Sequence, residues 1–151
     1  MSDRQEQRDV RWIQTILPHR YPMLMVDRVL EFEPSNRIVA IKNVTINEEV
    51  LQGHFPGHPV LPGVLVVEGL AQAGGILIGE AMTTEERQRK LLYFSGIERA
   101  RFRAPVVPGD QLRYEVELIW HRLNSAKLDA RALVDGNVVA EATLKSSMVD
   151  R

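Results

Sequence analysis

Hydrophobic positions along this chain fall into three patterns, and each predicts a different kind of element. Near the start, Val10, Ile13, Ile16 and Leu17 recur at helical spacing behind Asp9, a residue type that caps helix N-termini, and Pro18 ends the run. A short helix at the edge of the main body is predicted there. Residues 23–32 and 37–44 read as strands flanking Glu33-Pro34-Ser35-Asn36, whose fixed φ and short polar side chains favour a turn, so they form an antiparallel hairpin. Four further strands are expected at 91–103, 111–120, 125–134 and 138–149. In the second of these, Leu112, Tyr114, Val116 and Leu118 alternate with Arg113, Glu115 and Glu117, which makes one face buried and the other wet. Pro108-Gly109-Asp110 and Asp135-Gly136-Asn137 supply the turns, and the topology reads as a largely antiparallel meander.

The third pattern is the apolar stretch 59–82, rich in small residues, where only Glu68, Gln72 and Glu80 are strongly polar. It is long enough to cross a hydrocarbon core of ~30 Å. Glu68 would then sit near the bilayer centre, at high cost, and Pro59 and Pro62 crowd the start, so a core helix is expected instead of a membrane span. Gly69, Gly74, Gly75 and Gly79 together cost such a helix on the order of 3–4 kcal/mol relative to alanine, which tertiary packing must offset. A helix apolar nearly all round is one closely surrounded. The fold class that follows is α+β, an antiparallel sheet curled around a long central helix.

Composition narrows the reading. At 151 residues, 44% hydrophobic, with no repeat or linker, the chain makes one domain (1–151), and the polar start, residues 1–8, is expected to be a disordered lead-in. Nineteen basic against twenty acidic residues give no global argument for nucleic acid or an anionic membrane as partner. With no cysteine, disulfides, thiolate ligands and a cysteine nucleophile are excluded. The polar N-terminus lacks the features of a secretory signal, and a cytoplasmic location is expected.

Candidate chemistry gathers in Gln52-Gly53-His54-Phe55-Pro56-Gly57-His58-Pro59-Val60-Leu61-Pro62-Gly63, where three prolines and three glycines fix a loop around two histidines. His54 is the candidate general base, histidine being suited to proton transfer near neutral pH. Pro62 at the first helical position would leave the Gly63 N–H free at the positive end of the helix, an oxyanion donor that a thioester carbonyl can approach; the plainer reading is a glycine needed for packing. Glu68, flanked by Val66, Val67 and Leu70, has the apolar setting in which a carboxyl serves as a neutral acid. Base and acid together suggest an elimination. Gln72, one turn on, either orients that carboxyl or is a structural hydrogen-bonder. His54 and His58 stand four apart, but Gly57 and the prolines argue against a helix and no third ligand is evident, so no metal is expected. Arg99, Arg101 and Arg103 alternate along one strand, as a basic docking face or a solvated one.

Leu17-Pro18-His19-Arg20-Tyr21-Pro22, Val26-Asp27-Arg28, Gly53-His54-Phe55-Pro56-Gly57-His58-Pro59, Leu61-Pro62-Gly63-Val64-Leu65, Glu68 with Ala71-Gln72-Ala73-Gly74-Gly75, Phe102-Arg103-Ala104-Pro105-Val106 and Pro108-Gly109-Asp110 occur in one order. From Leu17 to the C-terminus the chain resembles the FabZ family of hotdog-fold 3-hydroxyacyl-[acyl-carrier-protein] dehydratases. The resemblance implies a hotdog fold, a homodimer that commonly builds a trimer of dimers, and active sites at the dimer interface. His54 of one subunit would remove the C2 proton while Glu68 of the other helps the C3 hydroxyl leave, with the Gly63 N–H on the thioester carbonyl. Gln72, Phe55 and Tyr21 are the further candidates for the substrate tunnel. Acyl carrier protein is the implied partner, its acidic surface meeting the arginines, and no cofactor is expected beyond the phosphopantetheine arm the substrate carries. Glu68, where the related FabA dehydratase–isomerases have Asp, favours dehydration without isomerisation. Met23 stands where many relatives have an aromatic residue, which leaves chain-length preference open. The alternatives are a hotdog acyl thioesterase and a non-catalytic acyl-thioester-binding regulator.

Overall fold

The computed structural model describes residues 8–151; residues 1–7, most of the expected lead-in, lie outside the described residues. Arg8, its last member, is ordered, bridging Val29 through its backbone and resting its guanidinium over the Trp12 and Phe32 rings.

Helix α1, Val10–Ile16, is capped by the Asp9 carboxylate, which accepts from the Arg11 and Trp12 N–H groups. The predicted hairpin forms from β1, Arg28–Glu33, and β2, Arg37–Asn43. Its first strand is shorter than expected, because the backbone at Met23 and Met25 bonds instead to a side chain of the central helix. After a one-turn helix α2, Val50–Gly53, comes the central helix α3, Gly63–Gly79, with Pro62 as its N-cap and not its first helical residue. The charged, polar stretch that follows forms helix α4, Thr84–Arg89, held by a reciprocal cap between Thr83 and Glu86. Strands β3, Lys90–Phe102, β4, Gln111–Arg122, β5, Ser125–Val134, and β6, Asn137–Asp150, complete the chain.

All pairings are antiparallel, in the order β1-β2-β4-β5-β6-β3. The simple meander is therefore corrected. The long excursion through α2, α3 and α4 delivers β3 to the far edge beside β6, and β4 closes against β2 in its place. Helix α3 packs on β2, β4, β5 and β6, so the sheet wraps the helix in a hotdog fold. No helix among the described residues is long and apolar enough to cross a membrane.

The glycines of α3 show why a poor helix former is tolerated. A Cβ on Gly69 would lie 2.0 Å from the Tyr114 hydroxyl, one on Gly74 2.6 Å from Leu128, and one on Gly79 2.9 Å from Ile16. Each absent side chain lets a neighbouring group reach the helix backbone, and those contacts offset the propensity cost. Tyr114, fully buried, donates to the Met25 carbonyl at 3.0 Å across the space that Gly69 leaves.

Gly69→Ala is expected to destabilise the fold by about 1–3 kcal/mol through overpacking, lowering the melting temperature by several degrees. Thermal denaturation followed by circular dichroism checks this, and a melting temperature equal to wild type would refute the close-packing account.

Candidate active site

Two half-sites form on opposite flanks of α3. The first centres on Glu68. Its Oε1 accepts from Gln72 Nε2 at 2.8 Å, and His19 Nε2 lies 3.5 Å from the same oxygen. Gln72 is buried, and its amide is fully used: Nε2 also donates to the Met23 carbonyl and Oε1 accepts from the Met25 N–H, each at 2.7 Å. The helical i, i+4 relation expected of Gln72 and Glu68 is present, but no amide atom of Gln72 is spare for a substrate. The apolar neighbours Val66, Val67 and Leu70 point into the core, while the Glu68 carboxyl faces a cleft of about 240 Å³. Its wall follows one stripe of α3, with Ala71, Gln72, Gly75, Ile78 and Gly79, opposite Leu91 to Phe94 of β3.

The second half-site centres on His54, directly after α2. The loop ahead of α2 is pinned by Lys42, buried and paired with Glu48 at 2.8 Å, while Glu48 also accepts from the Thr45 N–H. Beyond it, Phe55 and His58 exchange backbone hydrogen bonds around Gly57, whose φ of +72° favours glycine. The His54 Nδ1 lies 2.6 Å from the Val60 carbonyl. A carbonyl only accepts, so Nδ1 carries the proton and Nε2 presents a lone pair. His54 and Gly63 border one cleft, of about 470 Å³, together with Phe102 to Val106. The Phe102 ring lies where a Cβ on Gly63 would stand, at 2.7 Å, so the packing reading of Gly63 holds. No backbone acceptor among the described residues takes the Gly63 N–H, so the donor reading stays open as well.

The two clefts share no lining residue. Helical geometry explains the division: five residues from Gly63 to Glu68 turn by about 140°, placing them on different faces of α3. His54 and Glu68 thus border separate clefts.

The other candidates are less central. Tyr21 is 75% exposed and its hydroxyl bonds Glu49 at 2.5 Å. Phe55 is also exposed, its ring stacked on His54 at 4.1 Å. The arginine stripe is corrected. A bulge between Glu98 and Arg101, with Arg99 at φ +53°, breaks the alternation, and Arg103 lies past the end of β3, paired with Glu141 at 2.6 Å. Arg103 alone of the three borders the His54 cleft. His58 is exposed, and among the described residues no three His, Asp or Glu side chains gather as a metal site. The residue with no role assigned from sequence is His19: the Leu17-Pro18-His19 motif marked it, but spacing gave no sign that it reaches Glu68.

The model of the FabA-like domain matches residues 17–143. The chain belongs to the FabA-like family. It is 53% identical over 146 residues to the 3-hydroxyacyl-[acyl-carrier-protein] dehydratase FabZ of Campylobacter curvus, covering 95% of this chain and 99% of the relative. The protein of the same name from Koribacter versatilis is 52% identical, covering 100% of this chain and 96% of the relative. Among solved structures, the ApeI:P dehydratase heterocomplex from Xenorhabdus doucetiae superposes with a TM-score of 0.78 at 21% identity, covering 92% of this chain and 91% of that one, a likeness of fold. The family match spans both half-sites.

Gln72→Leu is expected to orphan the buried Met25 N–H, at on the order of 1–3 kcal/mol, and to remove the bond to the part-buried Met23 carbonyl. Urea denaturation checks this, and an unchanged midpoint would show that the amide does not hold this segment.

Proposed function

We propose that this chain is a 3-hydroxyacyl-[acyl-carrier-protein] dehydratase, a hydro-lyase of fatty-acid biosynthesis that converts (3R)-3-hydroxyacyl thioesters to trans-2-enoyl thioesters. Identity of 53% over nearly the whole length of a relative of that name is the observation that carries the reading. His54 Nε2, its lone pair exposed by the Nδ1 bond to Val60, takes the C2 proton. Glu68 gives a proton to the C3 hydroxyl, which leaves as water, and the electrons of the broken C2–H bond form the new double bond. The Gly63 N–H, at the positive end of α3, faces the charge that builds on the thioester oxygen. Phe55 and Tyr21, both exposed, are the further candidates for contact with the substrate.

Each site is built from two copies. Strand β3 is a sheet edge, and it exposes Tyr93, Phe94, Ile97 and Phe102. An apolar edge of this kind favours pairing with another strand. Tyr93 and Phe94 border the Glu68 cleft, while Phe102 borders the His54 cleft. Two β3 strands paired antiparallel about a two-fold axis near Ile97 bring the early half of one against the late half of the other, so the Glu68 cleft of one copy meets the His54 cleft of its partner. A trimer of such dimers is the higher assembly. Acyl carrier protein delivers the substrate to the His54 mouth, beside Arg103. The protein works in the cytoplasm without a cofactor of its own.

His54→Ala and Glu68→Ala are each expected to abolish interconversion of a 3-hydroxyacyl thioester and its trans-2-enoyl product, followed by absorbance, without loss of the dimer in light scattering. Near-normal turnover in either variant would overturn the assignment. Mixed and re-associated, the two inactive variants are expected to regain about a quarter of wild-type activity, since half the dimers are hybrids with one intact site. No regain would mean that both groups act within one chain.

A further inference from the structure

Glu68 is held from two sides. Gln72 reaches its Oε1 from within α3, and His19 reaches the same oxygen from the loop after α1, at 3.5 Å. That loop is fixed by the Arg20 guanidinium, which donates to the carbonyls of Gln14, Leu17 and His19. The His19 ring is half-buried in the wall of the Glu68 cleft. Its Nδ1 is buried and has no hydrogen-bond partner. A proton on Nδ1 would therefore be an unmatched buried donor, whereas Nε2 lies 3.5 Å from a Glu68 carboxyl oxygen. Oε2 takes no hydrogen bond among the described residues and is left for the reacting hydroxyl.

We infer that His19 is a positioning residue of this site: as the Nε2–H tautomer it anchors Glu68 Oε1 against Gln72, so that the proton Glu68 delivers sits on Oε2. The inference rests on the role proposed above for Glu68. Burial holds the His19 imidazole below its ordinary titration range, an effect that Arg20 adds to and the Glu68 charge opposes, so the neutral ring is the working form at neutral pH. Protonation at lower pH places a cation beside Glu68. Arg87, Lys90 and Tyr93 line the same cleft, and none of them contacts the His19 ring within hydrogen-bond distance.

Three variants test this. His19→Phe is expected to lower kcat about tenfold or more with KM little changed, since a misplaced acid affects the chemical step and not binding. His19→Gln, which keeps a side-chain N–H, is expected to recover most of that loss and to shift the acid limb of kcat. Wild-type kcat and pH profile in both variants, or a rise in KM alone, would overturn the inference. Nitrogen NMR of the His19 ring gives a readout that needs no turnover. Nδ1 is expected to be the unprotonated nitrogen, and Glu68→Gln is expected to move the His19 titration to lower pH. A protonated Nδ1, or an unmoved titration, would overturn the coupling even if the dehydratase assay itself fails, and turnover by wild type lost in Glu68→Ala tests the underlying role separately.

Discussion

The side-chain amide of Gln72 is the interaction on which the acid half of the site depends. It has two N–H groups and one carbonyl, buried in the core, and it spends them on Glu68, the Met23 carbonyl and the Met25 N–H. One residue thereby ties the catalytic helix to the segment between α1 and β1, and that segment brings His19 to Glu68 and gives Tyr114 its acceptor at Met25. An amide buried without those partners would cost several kcal/mol, so the arrangement is held by the penalty for breaking it more than by the net gain of each bond.

That network forms only because α3 lets the sheet approach closely. Gly69 removes the side chain that would collide with the Tyr114 hydroxyl, and Gly74 removes the one that would collide with Leu128. The same close approach leaves Gly75 and Gly79 in the wall of the Glu68 cleft, where larger side chains would fill it. Helix propensity is given up along α3 both for packing and for an open cleft.

Periodicity made most elements legible in the sequence. Leu112, Tyr114, Val116 and Leu118 lie on the inner face of β4 as their alternation predicts, and the caps at Asp9 and the turn at Gly136 fall where their chemistry requires. Order in the sheet was not legible, because the far-edge position of β3 is set by tertiary pairing that no local pattern records. Helix α4 buries no residue and carries no apolar stripe, so periodicity gave no sign of it. In the site, His54, Glu68 and Gln72 stood out by residue type and spacing. His19 reaches Glu68 through the chain's fold across 49 positions, and the arginine stripe failed because a bulge at Arg99 reverses the alternation that spacing assumes.

The division of the site proposed above, across two copies, has a geometric reason. To act on one substrate as base and acid, His54 and Glu68 must face it from two sides. Here α3 stands between them. Gly63 and Glu68 project from faces about 140° apart, and each cleft is lined without the other's reacting group. Gly63 borders the same cleft as His54, and Glu68 stands about one and a half turns further on, bonded by Gln72 and with His19 3.5 Å from the same oxygen. In the proposed dimer a second copy supplies the missing half across the β3 edge, so the geometry that keeps His54 and Glu68 apart within a chain is the same geometry that sets them face to face across the two-fold axis.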